Sequence, residues 1–192
     1  MGKSLVTTTE YKAYAGINSS NQDVQIAAII PKVSQLVKTL CRRTFVDFVD
    51  EAKTDKFSFG LLNLTEYPVI AVDSVELSSD NGATYTALVE FTDYVLDTET
   101  EQILPLNEYY TPNGFTKRVN GYRVSYTAGY EQLPVDLKLA VLDLVTYYIK
   151  NDGAVHSPKA PGTNTVQIEY ITKNTLPAHI ARILDQYTAN YL

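Results

Sequence analysis

The apolar residues of this chain repeat with the period of a helix at its start, of a strand in its middle, and of a helix again beyond Leu133. At the start, Thr7-Thr8-Thr9-Glu10 has the spacing of a capping box, in which the Thr and Glu side chains each accept a hydrogen bond from the other residue's backbone. Gly16 is suited to end the helix that follows, because glycine readily adopts a left-handed conformation. The pattern predicts a short helix over residues 8–15.

A second helix is predicted over residues 20–43, with Ser20 and Asn21 as its N-terminal caps. Its apolar residues recur every three or four positions, which is the spacing of a helix-packing seam. Pro31 lies inside this seam and removes one backbone hydrogen bond. Because the seam continues beyond it, the pattern favours one kinked helix over two helices that meet at Pro31. The seam consists of Ile26, Ile30, Val33, Val37 and Leu40.

Over residues 57–126 the apolar period changes to two, so a small antiparallel sheet or sandwich is predicted between the N-terminal helices and a later helix. Turns are indicated at residues 79–82, where Asn-Gly is a strong hairpin signal, and at residues 97–101, between two short strands. The polar segment 106–119 predicts a loop. The first strand is expected where Phe57, Phe59 and Leu61 alternate.

The helix predicted over residues 134–150 is apolar on two sides. One stripe consists of Leu137, Val141, Leu144 and Tyr148, and a second consists of Val135, Leu139, Leu142 and Ile149. A helix that is apolar nearly all round is normally buried all round, which favours a central core helix. The alternative is that the first stripe packs on its own domain and the second contacts a neighbouring subunit.

Residues 151–164 contain two Gly and two Pro residues and little apolar surface, which indicates a linker. A strand is predicted beyond it, and Thr175 can cap a last helix. The chain is therefore predicted to consist of a body over 1–151 and a loosely tethered arm over 152–192, unless the arm folds back on its own domain. The apolar residues of the arm are Val166, Ile168 and Tyr170 in the strand and Ile180, Ile183, Leu184, Tyr187 and Tyr191 in the helix.

These elements predict an α+β fold: a helical bundle formed by the N-terminal helices and helix 134–150, an inserted small antiparallel sheet or sandwich, and a C-terminal strand–helix arm. The chain has one cysteine, Cys41, so an intrachain disulfide is excluded, and its place on a helix predicts a small buried apolar residue. No apolar run approaches the ~18 residues of a membrane span. The polar N-terminus indicates a cytosolic protein without a targeting peptide.

Several short motifs, taken in order, resemble the head–tail connector (head-completion adaptor) family of tailed bacteriophages. The clearest is Tyr126-Thr127-Ala128-Gly129-Tyr130, followed by Leu133-Pro134 and an apolar helix. Tyr67-Pro68-Val69 resembles the first sheet strands of the family, and Asp93-Tyr94-Val95-Leu96-Asp97 resembles its "DY" strand. The N-terminal helical pair also fits, so the resemblance covers about residues 7–151, and the strand and helix of the arm are additional.

The resemblance implies a structural protein of the virion, made in the host cytoplasm. About twelve copies would form a ring under the portal protein, seal the DNA-filled head and present a platform for a neck or tail-completion protein. Genomic DNA would pass through the ring without sequence-specific binding, and no membrane or cofactor would be involved. The second stripe of helix 134–150 would contact the adjacent subunit. The apolar residues of the arm would contact the portal protein or a neighbouring subunit.

Charge is unevenly placed along the chain. Residues 1–43 hold six Lys/Arg and two Asp/Glu, whereas residues 44–130 hold five Lys/Arg and 14 Asp/Glu. Because proteins grip DNA phosphates with clustered Lys/Arg, the acidic middle argues against such a grip there. It would suit a wall along which DNA slides, although an acidic surface is also ordinary for solubility.

No arrangement of residues indicates catalysis, a cofactor or a metal ion. His156 lies in the linker and His179 in the last helix, and nothing in the sequence pairs them with a nucleophile. The acidic residues around Asp47 and Asp55 lack the spacing of a calcium loop and are expected to be solvated. Arg42 and Arg43 could meet phosphates or an acidic partner, or complement a helix dipole.

A different class of function remains open on the sequence, namely a β-rich module of a phage tail or baseplate that binds a protein or a carbohydrate. Such a module would be expected to expose several aromatic residues together on its sheet. The chain has 15 Tyr but no Trp, the favoured anchor at binding hot spots, which weighs slightly against this alternative.

Overall fold

The computed structural model describes residues 2–107, 110–111, 114–150 and 176–189, which form four α-helices and nine β-strands. The chain divides into two compact units. The helical unit takes the described residues up to Arg43 and from Leu133 on, and the β unit takes the described residues of Thr44–Gln132. The predicted α+β class is confirmed. The division differs from the predicted body and arm, because the last helix groups with the first three.

The first helix, α1, spans Thr8–Ala15 and has the capping box that the sequence indicates. Oγ1 of Thr7 accepts a hydrogen bond of 3.2 Å from the Glu10 amide, and Oε2 of Glu10 accepts one of 2.7 Å from the Thr7 amide. Gly16, with φ at 67°, ends the helix in the left-handed conformation.

The second helix, α2, spans Asp23–Cys41 and is continuous through Pro31, so the single-helix interpretation describes it. It begins later than predicted. Gln22 is the N-cap, without a side-chain cap, and the Asp23 amide donates a 3.1 Å hydrogen bond to the carbonyl of Ser20 in the turn before the helix. By length and composition α2 is apolar enough to cross a membrane, but core helices also meet these two criteria. The buried stripe of α2 is that of a core helix. That stripe consists of Ile26, Ile30, Val33, Val37 and Cys41, with Leu40 half-buried beside it.

The third helix, α3, spans Val135–Lys150 and packs against both α2 and the fourth helix, α4, which spans Ala178–Gln186. Three residues of the predicted first stripe of α3, Leu137, Val141 and Leu144, are completely buried. The helix seam of α2 and this stripe of α3 supply the core of the helical unit.

α4 is held on the helical unit by burial and by hydrogen bonds. Ile180 and Leu184 are almost completely buried, and α4 packs on both α2 and α3. Beyond its end, the Ala189 amide donates a 2.9 Å hydrogen bond to the carbonyl of Cys41. For residues 176–189 this corrects the expectation of a loosely tethered arm, and the fold-back alternative describes them. The strand predicted at Val166, Ile168 and Tyr170 lies outside the described residues.

The larger sheet of the β unit is antiparallel with strand order β1-β9-β3-β4, and β9 lies inside it. Its first strand is Lys53–Phe57 rather than a strand through Phe59 and Leu61, because residues 53–57 all pair with β9 and Gly60 then turns the chain at φ 81°. Phe59 and Leu61 are exposed in the turn. The strands are β1 Lys53–Phe57, β3 Val69–Leu77, β4 Thr86–Ala87 and β9 Tyr122–Ala128.

A second antiparallel sheet, of order β2-β6-β5, contains the predicted hairpin around residues 97–101. A short hairpin, β7–β8, corrects the predicted loop at residues 106–119, and Gly114 in it lies against the backbone of Gly60. Both sheets contribute side chains to one apolar cluster, which includes Leu62, Val75, Ile103, Tyr122 and Tyr126. The strands are β2 Leu62–Asn63, β5 Tyr94–Asp97, β6 Gln102–Pro105, β7 Tyr110–Thr111 and β8 Gly114–Phe115.

Candidate interaction surfaces

The Thr-Ala-Gly-Tyr motif is a crossing point of three backbone segments in the β unit. The Gly129 amide donates a 2.9 Å hydrogen bond to the carbonyl of Pro68, and the Tyr130 amide donates one of 2.7 Å to the carbonyl of Phe45. Gly129 has φ at 117°, and a Cβ atom there would overlap the Phe45 carbonyl. The motif therefore requires glycine for backbone conformation and close approach, and it is structural rather than a contact surface.

A buried polar network connects β1 to β9 and to the turn before β3. The Tyr126 hydroxyl donates a 2.6 Å hydrogen bond to Oδ2 of Asp55, and the Thr65 hydroxyl donates another of 2.6 Å to the same oxygen. Lys53 forms an ion pair with Asp55 at 3.4 Å. Asp55 is therefore not part of a solvated acidic segment, which corrects the expectation for this residue.

The electrostatics of this network follow from its burial. Burial opposes ionisation of the Asp55 carboxyl, but the hydrogen bonds from Thr65 and Tyr126 and the charge of Lys53 outweigh it and hold the pKa of Asp55 below its usual value. Burial, together with the hydrogen bond to Asp55, raises the pKa of Tyr126. Both groups thus keep one protonation state over the ordinary pH range, and the network fastens strands together rather than transferring protons.

The two aspartates of the "DY" segment each cap a turn. Oδ2 of Asp93 accepts a 2.7 Å hydrogen bond from the Val89 amide. Asp97 accepts hydrogen bonds from the Thr100 hydroxyl at 2.7 Å and from the Glu99 amide at 3.0 Å, and these lower the pKa of its carboxyl. The motif therefore fixes the loops at both ends of β5.

One of these loops presents apolar side chains to solvent. Val89 is 60% exposed and Phe91 is 76% exposed, and Phe91 has φ at 61°, an uncommon conformation for a bulky residue. A second exposed aromatic, Phe59, lies in the β1–β2 turn near the ammonium of Lys117. These two phenylalanines lie in separate loops of the β unit and outside its strands.

The second stripe of α3 is exposed only at its N-terminal end. Val135 is 85% exposed and Leu139 is 44% exposed. Leu142 is buried and Ile149 is half-buried. This corrects the expectation for Leu142, whose side chain packs within its own chain because α1 lies over this part of α3, where Tyr11 meets Thr146.

A groove of about 280 Å³ lies between α2 and α3 on the helical unit. Ile29 and Leu36 are half-buried residues of α2 one position beside the packing seam, and Tyr148 faces them from α3. Hydrophobic periodicity does not reveal this groove, because it assigns the apolar residues of α2 to one seam. The signal was the spacing of Ile29 and Leu36, seven residues apart on one helical face. The groove is lined by Ile29, Lys32, Val33, Leu36 and Tyr148.

The sequence matches the family described as "Head completion protein" over residues 4–189. The chain belongs to this family. It is 24% identical over 184 residues to the head completion protein of Escherichia phage T5, covering 95% of this chain and 97% of the T5 protein. The family resemblance recognised from the sequence motifs is thereby confirmed, and the chain is a structural head–tail protein of a phage virion.

Solved structures of gene transfer agent (GTA) particles contain chains with a similar fold. A chain from the neck of an empty GTA particle, computed with C6 symmetry, is 16% identical with a TM-score of 0.59, covering 98% of this chain and 92% of that chain. A chain from the neck of a native particle, computed with C12 symmetry, is 15% identical with a TM-score of 0.57, covering 100% and 97%. The head completion fold is thus shared with these chains.

The candidate contact residues near the C-terminus of this head completion protein fall into three groups. Ile180 and Leu184 are buried in the helical unit, which corrects their assignment to a free contact surface. Ile183 and Tyr187 are half-buried, and the Tyr187 hydroxyl donates a 2.7 Å hydrogen bond to Asp136. The remaining candidates, Val166, Ile168, Tyr170 and Tyr191, lie outside the described residues.

The residues with candidate chemistry are His156, His179, Arg42, Arg43 and Cys41, and the structure describes all of them except His156. His179 lies 3.4 Å from Asp143, while His156 lies outside the described residues. No group of three or more metal-ligating side chains occurs within the described ranges. Arg42 ends α2 in the left-handed conformation and Arg43 is 2% exposed, so Arg43 is not displayed for phosphate binding. Cys41 is completely buried, as predicted.

Proposed function

We propose that this head completion protein is an adaptor subunit that docks under the portal vertex of a filled capsid and seals the head. It then provides the platform for a neck or tail-completion protein. The observation that carries the proposal is the family match over residues 4–189, which includes both the helical and the β unit. The protein is made in the host cytoplasm, acts as a structural component without catalysis, and is located at the head–tail junction.

The functional form is a ring of identical subunits, with twelve copies as the proposed number. Support comes from the shared fold with chains in GTA necks that were computed with C6 and C12 symmetry. Rings form from heterologous contacts, in which one surface of a subunit meets a different surface of the next. Val135 and Leu139, at the exposed N-terminal end of the α3 stripe, are proposed as one such surface. The half-buried Ile149, near the other end of α3, is proposed as a separate point of the same contact.

Contact with the portal protein or a neighbouring subunit is assigned to the C-terminal segment. The proposed residues are the half-buried Ile183 and Tyr187, together with the candidates Val166, Ile168, Tyr170 and Tyr191. The buried Ile180 and Leu184 anchor α4 to the helical unit and so hold Ile183 and Tyr187 in place.

DNA is proposed to pass through the centre of the ring without being gripped. The β unit holds 15 Asp/Glu and five Lys/Arg, so its net charge repels phosphates.

In vitro head completion tests this proposal. Filled heads from a phage that lacks this gene would be mixed with the purified protein, and nuclease-protected DNA and binding of the neck protein would be measured. We expect the wild-type protein to raise DNA retention and Val135→Asp to lose this activity, while Val24→Asp keeps it. Val24 is the matched control, since it is also 85% exposed on a helix. Heads that stay equally leaky with wild-type protein would contradict the proposed function.

A further inference from the structure

We propose that the loop Val89-Glu90-Phe91 of one subunit, called here the 89–91 knob, inserts into the α2–α3 groove of a second copy of this chain. The inference deepens the proposed ring and rests on it, because it specifies a contact between adjacent subunits. It starts from Phe91, whose 76% exposure and positive φ are both unfavourable for a phenylalanine in an isolated chain. Such an outlier is maintained by its surroundings and points to a role at that position.

The knob is held in one conformation from both sides. The Val89 amide donates to Asp93, the Asp93 amide donates back to the carbonyl of Val89 at 2.8 Å, and the Phe91 amide donates to the carbonyl of Tyr94 at 2.8 Å. Leu88 and Tyr94, on either side of the knob, are buried in the core of the β unit. The apolar tip is therefore presented without an ordering cost at binding, which is a property of good interface anchors.

The groove matches the knob in size and chemistry. Its volume of about 280 Å³ is below the range of ordinary small-molecule pockets, so it suits one large side chain with a small neighbour. Ile29, Leu36 and the ring of Tyr148 provide the apolar wall, and Tyr is enriched at protein interfaces. Phe91 would fill the groove, with Val89 covering its edge.

Charge selects a second copy as the occupant and fixes the arrangement as head-to-tail. Exposed Glu90 lies in the knob, and exposed Lys32 lines the groove. The same complementarity extends to the whole units, because the β unit is acidic and the helical unit holds 11 Lys/Arg against seven Asp/Glu. Two knobs or two grooves facing each other would place like charges together. A knob in a neighbour's groove pairs opposite charges, and this heterologous contact is the type that builds rings.

The test is charge reversal with rescue, measured on the full chain by sedimentation velocity over a concentration series. Glu90→Lys and Lys32→Glu should each weaken self-association at least about tenfold, and the double variant should recover most of the loss. Glu99→Lys is the matched control, because it reverses an exposed charge in another acidic turn of the β unit. Phe91→Ser should weaken association about thirtyfold, the effect of losing a hot-spot side chain. Thermal midpoints check that each variant is folded.

A second measurement separates this contact from the ring itself. Subunits carrying Val89→Cys, which keeps Phe91, would be mixed with subunits carrying Leu36→Cys, and disulfide-linked dimers counted after mild oxidation, with Glu99→Cys replacing Val89→Cys as the control. A selective dimer supports the contact. Assembly that persists without the crosslink or without charge rescue overturns this contact and leaves the ring intact. A wild-type chain that never associates, alone or on portal, overturns the ring as well as this contact.

Discussion

The Tyr126 hydroxyl donates a 2.6 Å hydrogen bond from β9 to Asp55 on the neighbouring strand β1. The oxygen of this hydroxyl also accepts hydrogen bonds of 3.1 Å from the amides of Thr65 and Glu66. One phenol therefore joins β9, β1 and the turn that leads to β3. Tyr126 belongs to the Thr-Ala-Gly-Tyr motif by which the family is recognised. The motif thus marks a place where several chain segments are fastened together.

Tyr126→Phe should lower the free energy of unfolding by about 1–3 kcal/mol, because it removes one hydrogen-bond donor to Asp55 and the hydroxyl oxygen that accepts the amides of Thr65 and Glu66. Chemical denaturation at neutral pH measures the loss. Tyr94→Phe is the control, since Tyr94 is buried in the same cluster and its hydroxyl makes no hydrogen bond within the described ranges. Equal losses of stability in both variants would show that the hydrogen bonds of the Tyr126 hydroxyl contribute nothing specific to stability.

The pH dependence of stability should also report this network. The folded-state pKa of Asp55 is depressed below the value of about 3.9 expected in the unfolded chain, so its contribution is complete above that pH and is lost as pH falls further. Urea midpoints measured from pH 6 down to 2.5 should fall less steeply in Asp55→Asn than in the wild type. Asp73→Asn, which removes an exposed carboxyl of β3, should leave the slope nearly unchanged.

The network also shows where hydrophobic periodicity stops being informative. Periodicity locates α3 and β9 because apolar residues occupy their inward positions, whereas the capping box and Gly16 locate α1. It misplaces β1, because two of the inward positions of that strand carry Lys53 and Asp55, and only Phe57 follows the pattern. Polar residues can face inward when partners satisfy them, and those partners lie far away in the sequence.

The interaction surfaces show a second limit of the sequence. The periodicity of α3 identifies two stripes but does not tell which part of the second stripe α1 covers, and so Leu142 was assigned to a contact surface although it is buried. The exposure of Phe91 depends on the hydrogen bonds that the Val89 amide donates to Asp93 and the Phe91 amide donates to the carbonyl of Tyr94, which fix the loop. Recognising it required the folded loop, because an isolated phenylalanine near a strand ordinarily indicates core.

Gly129→Ala should destabilise the protein severely, since the new Cβ would overlap the Phe45 carbonyl and the backbone would remain at an unfavourable positive φ. Gly16→Ala is the informative control. Its φ of 67° lies in the left-handed region, where alanine costs about 1 kcal/mol, and nothing lies within 4 Å of its Cβ position. Thermal unfolding should show a much larger shift for Gly129→Ala, and similar shifts for the two variants would exclude the close approach as the cause.

Leu144→Ala should lower the free energy of unfolding by about 2–5 kcal/mol, because it empties a completely buried site between α3 and its neighbours. Leu139→Ala makes the same chemical change on the same helix at a residue that is 44% exposed, and the loss should be much smaller. Urea denaturation of both variants gives the comparison. Two equal losses would mean that Leu139 is also covered in the folded chain.

Leu184→Ala should be destabilising by about 2–5 kcal/mol even in the isolated subunit, since α4 belongs to the core of the helical unit. Deleting residues 176–192 should for the same reason reduce the thermal midpoint, and not merely abolish binding to a partner. Circular dichroism melting curves of the free protein measure both effects. An unchanged midpoint in either variant would restore the interpretation of α4 as a freely tethered contact element.

The division of the chain has a consequence for the order in which it folds during translation. The β unit is contiguous from Thr44 to Gln132, so the ribosome releases all of it before any residue of α3 has emerged. The N-terminal helices leave the ribosome first, yet the apolar seam of α2 is covered only after α3 and α4 have been made. Nascent chains of intermediate length therefore combine a β unit that is able to fold with the apolar face of α2, which nothing yet covers. A chaperone that binds exposed apolar segments would act mainly at this stage.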